Sequence, residues 1–136
     1  MNSDTSSETS PIKTYDDFRA ALARTEFFFL NKQITFDDPW IKGVDNTTTI
    51  QLLQRIHAAW PQIIERAERE FRNEFPTDPE MLTKVEEPTI YMDEEDFLDG
   101  GPFTKWVLVI GRSGWPDFGC HIEFSDSTFL KIWAGD

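Results

Sequence analysis

The residues of this chain that could do chemistry are few: two histidines, one cysteine and a dense run of carboxylates. His121 and Glu123 are two positions apart, the spacing that puts both side chains on one face of a strand. With Asp117 or His57 nearby, they could ligate a metal ion or supply a small hydrolase with base and acid. Neither histidine belongs to a dense ligand motif, however, and a half-exposed polar sheet face accounts for the same spacing. No metal and no cofactor are expected. Cys120 alternates with Phe118, Ile122 and Phe124, which places it on the apolar side of that strand. A buried thiol has a raised pKa and is a poor nucleophile. His121 is its neighbour in sequence but points to the opposite face, which disfavours a Cys–His dyad. His57 falls on the apolar stripe of a helical stretch, the usual place of a core or boundary imidazole.

The run from Glu86 to Asp99 holds seven carboxylates (Glu86, Glu87, Asp93, Glu94, Glu95, Asp96 and Asp99) and no Lys or Arg. It lacks the alternating oxygen ligands and central glycine of a calcium loop. Catalytic carboxylate pairs need unlike environments to separate their pKa values, and a solvated loop offers none. Catalysis by these carboxylates therefore stands behind two other readings. The run keeps the protein soluble, or Asp93, Glu94, Glu95 and Asp96 steer a basic protein toward the surface, with Trp115 and Asp117 in the following turn as the second part of the contact.

The elements that must position these residues are legible from periodicity. Residues 1–13 are Ser/Thr-rich and read as a flexible tail. Thr14 can cap a helix whose first turn carries Asp16 and Asp17, with Phe18, Ala21 and Leu22 on one face. Glu26 to Phe36 admits two readings, a continued helix or a hairpin. Three consecutive Phe and a tight turn at Asn31-Lys32 favour the hairpin. Thr47 to Phe75 reads as one long helix with Ile50, Leu53, His57, Trp60, Ile64, Ala67, Phe71 and Phe75 on its apolar face. Pro61 must kink or split it near Trp60. Strands follow at Thr89–Met92, 103–111, Phe118–Ser125 and Thr128–Trp133, with a loop from Arg112 to Asp117.

Composition bounds the class. At 136 residues the chain suits one domain. Twelve Phe and five Trp can carry a sizeable core. The formal net charge of −12, with no dense Lys/Arg cluster, argues against nucleic acid and anionic membrane surfaces as partners. The lone Cys120 excludes an intrachain disulfide. The first ten residues lack the basic and apolar regions of a secretory signal. A cytoplasmic location is the expectation.

The order of elements, with TTTIQLLQRI opening the helix and GWPDFGCHIEFSDSTFLKIWAGD closing the chain, resembles small bacterial proteins of the immunity-protein type. In those, a long helix packs on an antiparallel sheet and a turn of Trp, acidic residue and Gly precedes a late strand. The matching positions are Trp115, Asp117 and Gly119, and Phe118 stands where those proteins often have histidine. The resemblance spans about residues 26–136 and implies a class of function, with no site to carry over.

The sequence therefore predicts one α+β domain over 14–136, an antiparallel sheet with one face covered by a long, Pro-kinked helix. The leading function is a non-enzymatic acidic binding protein, in its concrete form an immunity-type inhibitor of a basic protein. A small hydrolase or metal-dependent enzyme using surface carboxylates and His121, and a structural or assembly subunit, are the alternatives. Exhaustive EDTA treatment is expected to leave the thermal midpoint unchanged. A drop of many degrees, restored by zinc, would replace the binding-module reading with a metal site.

Overall fold

The computed structural model describes residues 12–24, 27–37, 46–75, 84–92, 104–112 and 114–135, without the side chains of Asn46, Glu87 and residues 115–118. Helix α1 (Tyr15–Arg24) opens as its sequence predicts. Thr14 Oγ1 accepts from the Asp17 amide at 3.0 Å, and Asp17 accepts from the Thr14 amide at 3.1 Å, a reciprocal cap. A further amide, of Lys13, donates to Asp17 and is the main cause that holds its carboxyl below the ordinary range. Phe18, Ala21 and Leu22 are buried. Ile12, assigned by composition to the tail, is buried too, and its carbonyl accepts from Gln54 Nε2 at 2.6 Å. One aliphatic side chain was enough to anchor the end of that segment.

Residues 27–37 form a hairpin and a further short strand. Strand β1 (Phe28–Phe29) pairs antiparallel with β2 (Lys32–Gln33), and β3 (Thr35–Asp37) follows. The turn lies at Leu30-Asn31, one residue before the predicted place. Both have positive φ, 48° and 70°, the backbone of a tight hairpin turn. For Leu30 that conformation is costly. Its amide donates to Glu68 Oε2 at 2.9 Å, which ties the turn to a helix.

The long helix is two helices. Helix α2 (Asn46–Ala58) stops before Ala59, and α3 (Trp60–Glu74) starts directly after it. Pro61 occupies the first turn of α3, where a missing N–H costs nothing. A proline in mid-helix would have kinked one rod; here it begins a second. The apolar phase runs on across the break, with Leu53, Trp60 and Ala67 buried at seven-residue steps. Leu52, Ile56 and Ile63 are fully buried, whereas His57 and Ile64, placed on the stripe of a continuous helix, are half-buried. The Glu65–Arg69 and Glu68–Arg72 pairs form at 3.6 and 3.9 Å.

The sheet has five strands in the order β3-β4-β5-β6-β7. Its members after β3 are β4 (Val85–Met92), β5 (Lys105–Arg112), β6 (Trp115–Ser125) and β7 (Thr128–Gly135). All pairs are antiparallel except β3 with β4, which run parallel at one edge. Parallel neighbours need a long crossover, and α2 and α3 lie within it. Two loop assignments are corrected. Trp115–Asp117 belong to β6 and not to a loop, and Glu86 and Glu87 of the acidic run belong to β4.

Cross-strand register aligns the core in rows. Phe36, Ile90, Leu108, Ile122 and Ile132 are successive partners, and so are Met92, Trp106, Phe124 and Phe129. These rows form the inner face, and the helices and the β1–β2 hairpin cover it. The Trp60 and Phe71 rings join the same core and also meet the hairpin segment, Trp60 by stacking and Phe71 edge-on. Trp60 meets Phe27 at 4.5 Å and Phe71 meets Phe29 at 5.3 Å. Phe124 stacks on Trp106 at 4.8 Å. Truncating Phe124 to Ala removes a fully buried ring and is expected to cost about 3–5 kcal/mol in urea unfolding. A loss below ~1 kcal/mol would mean that this face does not carry the core.

Candidate functional site

The alternation of β6 that buries Cys120, Ile122 and Phe124 turns Gly119, His121, Glu123 and Ser125 to the sheet's other face. Among the described residues, no helix lies on that face. One row across it runs Thr35, Thr89, Val109, His121, Trp133, and the next runs Asp37, Tyr91, Val107, Glu123, Lys131. Where the two rows reach β6 and β7, chemistry-bearing side chains converge.

His121 and Trp133 are cross-strand partners with their rings stacked, 3.9 Å between centroids and 1° between planes. The Trp133 indole N–H donates to Glu123 Oε2 at 2.6 Å. Lys131 Nζ lies 4.0 Å from the same oxygen. Both rings lean toward a second cross-strand pair, Gly119 and Gly135. A Cβ at Gly119 would come within 3.2 Å of His121 Nε2, and one at Gly135 within 3.8 Å of Trp133 Cζ3. The facing glycines give the two rings room to lie over the sheet. Trp133 and Tyr91 remain 42% and 38% exposed, and Leu130 at the edge 44%.

Partial burial holds the His121 imidazole below its ordinary value of 6.5, against the opposing pull of Glu123. It is therefore neutral at physiological pH. Cys120, on the inner face, is pushed up to about 12, first by burial and then by Glu74. At that value it holds its proton and fills the core. His57 lies flat on Phe27 at 5.5 Å, a boundary position between helix and hairpin.

Of the residues singled out by sequence, His121 and Glu123 come together, and Trp133 joins them. Asp93, Glu94, Glu95 and Asp96 lie outside the described residues. Trp115 and Asp117 are placed by backbone only, at the start of β6, and their side chains are outside the description. Among the described residues, no three His, Cys, Asp or Glu side chains converge on a metal-sized site. No described helix is long and apolar enough to cross a membrane. An apolar groove of about 380 Å³ runs between α1 and β3. The one charged group lining it, Arg19, is bound to Asp16 at 2.7 Å and lies over Phe36.

The role of Trp133 was missed from sequence, where it read as a residue near the chain end. Gly119 and Gly135 stand two residues from His121 and Trp133 in the sequence, but the pairing of the two rings follows from the bulged register of β6 with β7. Comparison with protein-family models, with curated proteins and with solved structures gives no match for this chain.

The depressed His121 titration has a defined sign. Below 6.5 the unfolded chain takes up a proton that the folded chain resists, so stability falls as pH drops from 6.5 toward the lowered value. Thermal midpoints from about pH 7.5 to pH 5 should fall less for His121→Gln than for the wild type. Equal slopes, or an imidazole titration by NMR above 6.5, would show that burial does not govern this ring.

Proposed function

We propose that the protein is a non-enzymatic binding protein for a basic protein partner, with an immunity-type inhibitor as its concrete form and the cytoplasm as its place of action. The observation that carries this reading is the sheet face opposite the helices. It presents Tyr91 and Trp133 in exposed positions, beside Leu130 at the edge, in a chain of net charge −12. Exposed aromatic side chains supply contact area at low entropic cost, and they are enriched at the centres of interfaces. The charge supplies attraction at a distance.

The same arrangement supports binding over catalysis. His121 is committed to a stack with Trp133, and Glu123 receives the indole N–H with Lys131 close by. A general base works best with a proton acceptor free to reach the substrate. These two groups are instead used to hold an aromatic surface in place. Asp93, Glu94, Glu95 and Asp96 fit the steering role from their charge and sequence density, and Trp115 and Asp117 are proposed as the second part of the contact from their residue types.

Steering acts on the association rate and is screened over about 10 Å at 0.1 M salt. A basic protein retained from native lysate supplies the ligand. Its association rate is then compared for the wild type and a variant with Asp93, Glu94, Glu95 and Asp96 changed to Asn or Gln. The variant should associate about tenfold more slowly at low salt, and the two rates should converge at high salt. Equal rates at both salts would remove the acidic run from recognition. Retention of acidic or neutral proteins alone would overturn the basic-partner reading.

A further inference from the structure

The Trp133 indole is held on three sides although it is 42% exposed. One face stacks on the His121 imidazole. The pyrrole edge donates its N–H to Glu123. The benzo edge lies beside Gly135. His121 is on β6 and Trp133 on the edge strand β7, so the second indole face points away from β6, past the end of the sheet. That face is a flat, preoriented aromatic plate.

Charge decides what such a plate takes. Indole attracts cations more strongly than the other aromatic side chains. An N–H that donates to a carboxylate leaves more electron density on the ring, which strengthens the attraction. The chain's net charge of −12 draws cations and repels the phosphates that would accompany a stacked nucleobase. The protein already seats two of its own guanidinium groups on rings, Arg19 on Phe36 at 5.7 Å and Arg66 on Phe129 at 4.6 Å. Among the described residues, neither of these cations uses Trp133. A guanidinium suits a flat ring best, because its plane stacks while its edge keeps its hydrogen bonds.

We propose that the outward face of Trp133 is a binding plate for an arginine side chain of the basic protein partner. The proposal rests on the basic-partner reading and deepens it. Glu123 fixes the indole edge through the N–H, with Lys131 close to the same carboxylate oxygen. The stack also makes the plate pH-sensitive. The described groups facing His121 are Glu123 on its own strand, Trp133 and Lys131 on β7, and the uncharged Val109 on β5. While His121 is neutral, the ring's density is available to an outside cation. Once protonated, the imidazolium takes up that density from the inner face and repels a second cation.

The test titrates an arginine-rich peptide, and its citrulline isostere, into the isotope-labelled full chain. The Trp133 indole N–H resonance should move with the arginine peptide and not with the citrulline one. Trp133→Leu should weaken arginine-peptide binding by about fivefold, and Trp133→Phe by less. Lowering the pH to about 5 should weaken binding to the wild type more than to His121→Gln. If Trp133→Leu does not fold, the indole resonance in the wild type still decides between the two peptides. Equal affinity for wild type and Trp133→Leu would overturn the plate and leave the basic-partner reading standing. No binding of the arginine peptide at low salt would overturn both. A concentration-dependent shift of the indole resonance without peptide would assign the plate to a second copy of this chain, and the proposal would fall.

Discussion

The two-residue period of β6 is the constraint on which both halves of this structure depend. Cys120, Ile122 and Phe124 are all fully buried. A strand cannot bury three alternate residues without turning the two between them outward. The core therefore dictates where His121 and Glu123 point, before any function is considered. A slip of one residue in the pairing of β6 would exchange the two sets and put an imidazole and a carboxylate in the core. The burial of Phe124 against Trp106 and Phe129 keeps that register closed.

The inner face needs a cover, and the cover is assembled from pieces. A single helix of the predicted length would be a rigid rod across a twisted sheet. The break at Ala59 lets α2 and α3 follow different lines. Phe27 fills the corner between them, stacked on both His57 and Trp60. At the far side, Arg55 reaches Asp126 at 2.6 Å in the β6–β7 turn, where Trp106 Nε1 also donates to the Asp126 carbonyl at 2.8 Å. Each helix of the pair is thus tied to a turn with positive φ, α3 to Leu30 through Glu68 and α2 to Asp126 through Arg55. Each turn is costly alone and is fixed by a contact from the layer above it.

Strands β5 and β6 were legible because their buried residues recur at every second position, and α1 was legible because Thr14 and Asp17 cap it in a local pattern. What was not legible depended on distant partners. Pro61 is compatible with a kink or a new start, and its residue type alone does not choose between them. The parallel pairing of β3 with β4 joins residues such as Thr35 and Thr89, which carry no mutual signal in one sequence. The candidate site was half legible. The shared face of His121 and Glu123 followed from spacing, whereas the stacking of Trp133 required the hairpin register. That register includes a bulge, since Phe129 opposes Phe124 while Lys131 opposes Glu123 and Leu130 has no partner between them. Counting back from the Asp126-Ser127 turn without that extra residue would have put Trp133 on the core side.

The bulge also bears on how β7 can be used. An edge strand of eight residues offers its backbone to any extended chain, and natural edges are guarded by bulges and charged side chains. Strand β7 carries both, with the unpaired Leu130 and the adjacent Lys131 near its middle. Backbone pairing along this edge is therefore interrupted where it would be longest. The side chains are not interrupted: Trp133 lies beyond the bulge, on the regular part of the ladder, with Gly135 clearing space beside it. The strand thus discourages recognition through its main chain while presenting a fixed ring at the sheet's margin. Among the described residues, this margin therefore offers the chemistry of one fixed ring rather than a long run of free backbone.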